Sequence, residues 1–100
     1  MYYVYILKSI LHNKFYIGQT NNLHCRFKLH NSKKVKSTAP YCPWILIGHL
    51  SKDSRSASII LERKLKNLNR EDLIKFIDKY FRKKYVESLK SNDSKNNSSF

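Results

Sequence analysis

Two tyrosines, an arginine, a histidine and a glutamate are the residues of this sequence that could together form a reaction centre. Arg26 and His30 lie four residues apart, so they share one face of a helix. A guanidinium and an imidazole beside the phenols of Tyr5 and Tyr16 form a set of groups that can handle a phosphate. Considered alone, the Arg26–His30 pair is explained at least as well as part of a solvated basic helix face.

The glutamate, Glu62, is one of only seven acidic residues and stands beside an apolar stripe in the segment 60–64. A carboxylate in that setting can bind a divalent metal ion. Lys66 follows four residues later, and an ion pair between the two side chains explains the spacing equally well. Both interpretations of Glu62 stay open at this point.

Other chemical motifs are weak or missing from the sequence. No phosphate-binding loop, GxGxxG or CxxC motif occurs, and the histidines and cysteines do not have the spacing of a zinc site. A Ser/His/Asp triad has no nucleophile-elbow signature to support it.

The candidate residues lie in or next to segments with clear local structure. Runs of β-branched and aromatic residues predict strands at 2–8, 14–19 and 44–50. A short connector favours an antiparallel hairpin between the first two strands. With the turn centred between Ile10 and Leu11, Tyr5 lies opposite Tyr16, and Tyr3 shares their face.

A cross-strand aromatic cluster that only stabilises the sheet explains these tyrosines better when they are taken alone. Gly18, at the end of the second strand, permits a close approach of another chain or a positive φ angle. An ordinary strand end is the simpler explanation of this glycine.

Helical periodicity and capping residues predict helices at about 23–31, 55–68 and 70–88. A polar loop with two prolines covers residues 32–43. Residues 89–100 are polar and low in complexity, which predicts a disordered tail after a single domain of residues 1–88. The order of strands and helices predicts a small α/β sheet with helices packed on it.

Charge points to the kind of partner. The chain of 100 residues carries 20 Lys and Arg against 7 Asp and Glu, a net charge of +13. This excess favours a polyanionic partner, although a compositional bias toward Lys and Asn would also raise it. No helix concentrates charge opposite an apolar face, which argues against a membrane binder. Without an export signal or a membrane span, Cys25 and Cys42 are expected to be reduced thiols in a cytoplasmic protein.

Taken together, these residues resemble the GIY-YIG nuclease family, and they are most similar to its small stand-alone members. Residues 3–5 (Tyr-Val-Tyr) match the first signature strand, with Tyr3 where the family usually has glycine, and residues 16–18 (Tyr-Ile-Gly) match the second. Arg26 and His30 follow the second motif at the family's spacing. The segment 57–66 resembles the helix that presents the family's metal-binding glutamate, so the likeness covers about residues 2–80.

The resemblance implies a small α+β fold of the broad α/β class, with a three-stranded antiparallel sheet flanked by helices. It also implies phosphodiester hydrolysis assisted by one Mg²⁺ or Mn²⁺ ion, which Glu62 would hold. Tyr16 would deprotonate or orient the attacking water, and Tyr5 would hydrogen-bond the water or a phosphate oxygen. Arg26 would bind the phosphate and its transition-state charge, and His30 would assist proton transfer or contact the phosphate.

We therefore predict a metal-dependent endonuclease acting on DNA, with branched or damaged DNA as candidate substrates and RNA less favoured. The alternatives are a basic structural protein without a converging site, and a non-catalytic module that binds nucleic acid. The basic side chains expected to bind nucleic acid are Lys33, Lys34, Lys36, Arg63, Lys64 and Lys66. A family asparagine near the site could correspond to Asn67 or Asn69. One small module buries little DNA surface, so a homodimer or a partner protein also stays open.

Overall fold

Three antiparallel strands form the centre of the molecule. In the computed structural model, the backbone is described for residues 1–93 and side chains for residues 1–81. Strand β1 runs over Tyr2–Ser9, β2 over Phe15–Thr20 and β3 over Trp44–Lys52, in the spatial order β2-β1-β3. The predicted fold class is confirmed. Strand β1 is the central strand, and its residues 4–7 are buried, whereas β2 and β3 are edge strands.

Three helices surround the sheet, and side-chain caps define where they begin. Helix α1 covers Leu23–Asn31, α2 covers Arg55–Lys66 and α3 covers Arg70–Asp93. The side chains that accept backbone N–H groups at their starts belong to Asn22, Ser54 and Asn69. No helix in the described part of the chain is long and apolar enough to span a membrane.

The strand bounds differ from the prediction by one or two residues, and two predicted helix ends also differ from the structure. Helix α2 ends before Leu68, because Asn67 caps its last turn. Helix α3 continues past the end predicted at Ser88 and reaches Asp93. The rest of the predicted disordered tail, residues 94–100, lies outside the described residues, and the domain boundary at 88 stays a prediction.

The predicted register of the first hairpin is wrong. Tyr5 lies opposite Gly18, and Tyr16 lies opposite Leu7. Hydrogen bonds of Ser9 hold a longer turn: its backbone N–H donates to the Lys14 carbonyl at 3.0 Å, and its Oγ accepts the His12 N–H at 3.1 Å. Because this moves the pairing by an even number of residues, Tyr5 and Tyr16 still share one face of the sheet.

The two faces of the sheet form two separate apolar layers. Even-numbered residues of β1, such as Val4 and Ile6, pack against α2 and α3. The odd-numbered Tyr5 and Leu7 point to the other side, where α1 and a short 3₁₀ segment, Ala39–Tyr41, cover them. We call this second side the phenol face. Helices α1 and α2, which carry candidate residues, therefore lie on opposite sides of the sheet.

Candidate active site

The Tyr5 phenol crosses over the neighbouring edge strand at Gly18. A Cβ atom at position 18 would lie 2.5 Å from Tyr5 Oη and 2.7 Å from its Cζ. The glycine therefore allows a close approach of the Tyr5 side chain, and it has no positive φ. The phenol reaches the edge of the sheet although Tyr5 is only 1% exposed.

His30 binds the Tyr5 hydroxyl from α1. The distance from Tyr5 Oη to His30 Nε2 is 2.8 Å, and His30 Nδ1 lies 2.8 Å from Thr38 Oγ1. The His30 side chain is fully buried. Burial, and secondly the positive charge of Arg26, lower the pKa of His30 to about 4. The imidazole is therefore neutral near pH 7, with one nitrogen donating and the other accepting.

Thr38 determines which nitrogen of His30 carries the proton. The Thr38 hydroxyl donates its one proton to the Val35 carbonyl at 3.3 Å, so it accepts from His30 Nδ1–H. His30 Nε2 is then the acceptor for the Tyr5 hydroxyl. A second bond holds the threonine in place, since Trp44 Nε1 donates to the Thr38 carbonyl at 3.1 Å.

Sequence reasoning missed Thr38, which is 1% exposed. It lies in the polar loop after α1, where no periodicity or motif distinguishes it from its neighbours. Only the fold brings this loop against the buried imidazole.

Arg26 lies one helical turn before His30 and reaches the same phenol. The neighbouring Tyr5 hydroxyl is the largest cause that raises the pKa of Arg26 above its ordinary value. Burial raises the pKa of Tyr5 to about 12, while the Arg26 guanidinium acts in the opposite direction. Tyr5 therefore keeps its proton near neutral pH, and its oxygen lies beside a guanidinium.

Tyr16 completes the group on the phenol face. Its ring centroid lies 4.8 Å from that of His30 and 6.3 Å from those of Tyr5 and Trp44. The Tyr16 side chain is only half-buried, in contrast to Tyr5. Of the two phenols, Tyr16 is the one with more access to water.

Glu62 approaches this group from the other side of the sheet. Helix α2 packs along the edge strand, where Ser58 Oγ lies 3.2 Å from Gln19 Oε1, and Glu62 follows Ser58 by one turn. The Glu62 charge is the smallest of the causes that act on the pKa of Tyr5. Glu62 Oε2 also lies 3.2 Å from Lys66 Nζ, so the ion pair expected as the alternative is formed.

A single carboxylate of this kind fits a hard divalent cation. Mg²⁺ commonly keeps several waters and takes one or two protein carboxylates, with substrate phosphate oxygens as further ligands. Among the described residues, no group of three or more His, Cys, Asp or Glu side chains could hold a metal ion. Glu62 therefore fits a metal site only if water and a phosphate complete the coordination.

A cavity of about 320 Å³ extends from Arg26 to Arg55, the first residue of α2. Two guanidinium groups line it without a carboxylate, so it favours an anion such as a phosphate. We call it the basic cavity. Its lining consists of Tyr2, Gln19, Thr20, Asn21, Arg26 and Arg55. Sequence reasoning missed Arg55, because nothing in its spacing separates it from the other basic residues.

The six residues expected to bind nucleic acid are all exposed, and they fall into two groups. Lys33, Lys34 and Lys36 follow α1 in the loop of the phenol face, whereas Arg63, Lys64 and Lys66 lie on α2. The two candidate asparagines both serve as helix caps: Asn67 ends α2, and Asn69 Oδ1 accepts the Asp72 N–H at 2.8 Å.

Comparison with known proteins bears on the family and the fold of this chain. The family model of the GIY-YIG catalytic domain matches residues 1–80. The solution NMR structure of a UPF0213 protein from Bacillus halodurans is 28% identical, with a TM-score of 0.55, over 81% of this chain and 87% of that chain. None of the curated proteins matches. The resemblance expected from the sequence is confirmed.

Proposed function

This chain belongs to the GIY-YIG catalytic domain family, a family of nucleases, and from that membership we propose that it is a divalent-metal-dependent endonuclease of DNA. The observation that carries the proposal is the convergence of Tyr5, Tyr16, Arg26 and His30 beside the edge strand. Glu62 approaches the same edge from the opposite face. The reaction would be the hydrolysis of a phosphodiester bond, in branched or damaged DNA among other substrates.

Arg26 would bind the scissile phosphate. Phosphoryl transfer depends mainly on positioning and on neutralising negative charge, and a guanidinium can bind two phosphate oxygens at once. Arg26 lines the basic cavity together with Arg55, so a phosphate in this cavity would lie between two positive groups. The surroundings of Arg26 thus support the phosphate-binding role that the sequence predicts for it.

The two phenols would have different tasks. The half-buried Tyr16 would orient the attacking water through its hydroxyl. Tyr5, with its proton held toward His30 Nε2 and its oxygen beside Arg26, would position the guanidinium. A role of Tyr5 as base receives no support from its burial, which raises its pKa to about 12. His30 would hold Tyr5 as a hydrogen-bond acceptor.

Glu62 would hold Mg²⁺ or Mn²⁺, which when bound polarises a phosphoryl oxygen and lowers the pKa of its bound water. Lys66 would not prevent this, because the pair is partly solvent-exposed. An exposed i,i+4 ion pair contributes only about 0.3–0.5 kcal/mol. The carboxylate can therefore exchange its lysine partner for a cation at little cost.

Cleavage of supercoiled and branched DNA in the presence of Mg²⁺ or Mn²⁺ tests the proposal. Glu62→Gln should lower the rate by about a hundredfold or more, the usual effect of removing one group that stabilises transition-state charge. Glu71→Gln is the matched control, because Glu71 forms a comparable i,i+4 pair with Lys75 at 3.8 Å on α3. Equal cleavage by the wild type and Glu62→Gln would attribute the activity to a contaminant and refute the assignment.

A non-catalytic nucleic-acid-binding module is the second candidate. The pairing of Glu62 with Lys66 and the burial of Tyr5 favour it. Its signature is binding without cleavage, with affinity that falls steeply as salt rises. Each lysine that contacts a phosphate adds about 0.9 to the slope of log affinity against log salt. Replacing Lys33, Lys34 and Lys36 by glutamine should lower the slope. The homodimer that the sequence leaves open can be tested in the same samples.

A further inference from the structure

A second cavity, of about 520 Å³, lies on the phenol face between the start of α1 and strands β1 and β3. Four of its eight lining residues are aromatic or aliphatic and the other four are asparagines or histidines, and we call it the aromatic cavity. Its lining consists of Tyr3, Asn21, Asn22, Leu23, His24, Phe27, Leu46 and His49. A volume of this size lies within the range of sites that hold small organic groups.

The aromatic cavity adjoins the basic cavity, because Asn21 lines both. Neighbouring residues on α1 divide between them: Arg26 lines the basic cavity, and Phe27 lines the aromatic one. Likewise, Tyr2 lines the basic cavity and Tyr3 lines the aromatic cavity, because adjacent residues of β1 point to opposite faces of the sheet. A strand of nucleic acid that crosses Asn21 can therefore place a phosphate on one side and a base on the other.

Tyr3 is one of the residues that line the aromatic cavity. It occupies the position of the first signature strand where the family usually has glycine, and no role in the proposed reaction uses it. Its ring lies 5.7 Å from that of His49, at an interplanar angle of 84°. Both side chains point to the phenol face, since His49 pairs with Tyr5 across the sheet.

We propose that the aromatic cavity receives one unstacked nucleobase of the DNA strand whose phosphate occupies the basic cavity. Aromatic side chains stack on unpaired bases of any sequence, while amide and imidazole groups can bind base edges. A base inside a duplex cannot enter such a cavity, so the substrate must carry an unpaired or extruded nucleotide. The proposal rests on the proposed function and specifies the DNA that this site selects.

The test is a double-mutant cycle between the cavity and one base. The full chain carrying Glu62→Gln is used, so that the DNA stays intact, and binding is measured by fluorescence anisotropy. One duplex has a single bulged adenosine, and the other has an abasic residue at that position, with the same phosphates. The base should strengthen binding about 5- to 150-fold, the usual range for one base stacked on aromatic side chains.

Adding Tyr3→Leu should remove most of this preference while leaving the affinity for the abasic duplex nearly unchanged. His49→Ala, at an exposed position, should weaken the preference without a risk to the fold. Tyr80→Leu is the control, because Tyr80 is a 53%-exposed tyrosine on α3 outside both cavities. This variant should keep the full preference for the bulged base.

The proposal would be overturned by equal binding of both duplexes, by equal weakening of both by Tyr3→Leu, or by a dimer in solution that Tyr3→Leu dissociates. The last would assign the aromatic cavity to a second copy of the chain. Free deoxyadenosine monophosphate that binds as tightly as the bulged duplex would also refute a site for a DNA strand. Because binding is measured without cleavage, an inactive wild type would refute only the proposed function.

Discussion

Replacing Gly18 by alanine should displace Tyr5 and disrupt the candidate site from within the sheet. The added Cβ would lie 2.5 Å from Tyr5 Oη, 2.7 Å from Tyr5 Cζ and 3.0 Å from Tyr16 Cε2. Tyr5 cannot simply move aside, because it is buried and bound to His30 at 2.8 Å. The substitution must therefore move the phenol away from the imidazole or push β2 away from β1.

The expected change in the free energy of unfolding follows from two destabilising effects and one stabilising effect. Forcing extra volume into a packed region costs about 1–3 kcal/mol, and breaking the buried Tyr5–His30 hydrogen bond costs a further ~1–3 kcal/mol. Alanine itself is more favourable than glycine in a strand by about 0.5–1 kcal/mol. We expect Gly18→Ala to lower the free energy of unfolding by about 2–4 kcal/mol, and cleavage to fall with it.

Urea unfolding followed by tryptophan fluorescence measures this loss. Trp44 is the only tryptophan of the chain, is 2% exposed, and lies beside Tyr16. The decisive comparison repeats Gly18→Ala in a Tyr5→Leu background, where only the 3.0 Å contact with Tyr16 Cε2 opposes the new methyl group. There the substitution should cost less than half of what it costs in the wild type. The same loss in both backgrounds, or a loss below about 0.5 kcal/mol in the wild type, would refute the steric argument.

Three further predictions concern the groups around this phenol. Thr38→Val should cost about 1–3 kcal/mol of stability, because it leaves His30 Nδ1–H buried without an acceptor, whereas Thr38→Ser should cost much less. Folding lowers the pKa of His30 to about 4, so the unfolded chain binds a proton at a higher pH than the folded chain does. The contribution of His30 to the free energy of unfolding is therefore complete above pH 6.5 and is lost as pH falls toward 4. The variant His30→Gln should lack this pH dependence, which amounts to about 3 kcal/mol. Lys66→Gln should strengthen Mn²⁺ binding at Glu62 about twofold in the absence of DNA, since it removes the competing ammonium.

Each of these predictions has its own measurement and contrary result. Equal urea midpoints for Thr38→Val and Thr38→Ser, or a ¹⁵N spectrum of His30 with the proton on Nε2, would contradict the tautomer. Parallel pH profiles of stability for the wild type and His30→Gln would show that this histidine does not titrate as stated. Calorimetry measures Mn²⁺ binding, and Lys75→Gln is the control because Lys75 pairs with Glu71 instead of Glu62. Weaker Mn²⁺ binding by Lys66→Gln, but not by Lys75→Gln, would contradict a competition between Lys66 and the metal ion for Glu62.

Local sequence was sufficient for the elements that carry the site. The bounds of α1 agree with the prediction because Asn22 supplies a cap to the helix, and capping depends on residues close in the chain. The four-residue spacing of Arg26 and His30 likewise determined that they share one helix face. Both indeed reach the same phenol, Tyr5.

Long-range contacts decided the register and the difference between the two phenols. Ser9 Oγ donates to the Tyr41 carbonyl, at 2.7 Å and 32 residues away, which no pattern within the hairpin reveals. Tyr5 and Tyr16 look equivalent in sequence, yet one lies on the central strand and the other on an edge strand. Position in the sheet, rather than residue type, makes Tyr5 a buried, protonated group.

Residue types, helical and strand periodicity and the signature motifs were enough to determine the family, the fold class and the candidate residues of this protein. They left two explanations for Glu62, a metal ligand and an ion-pair partner of Lys66. In the tertiary structure the ion pair is formed, and the carboxylate also lies near the edge strand and the candidate site. Only the folded chain identified Thr38, Arg55 and the aromatic cavity around Tyr3. The physical reason is that periodicity records which side of an element a residue faces, whereas hydrogen bonds and cavities depend on which distant segments pack against that side.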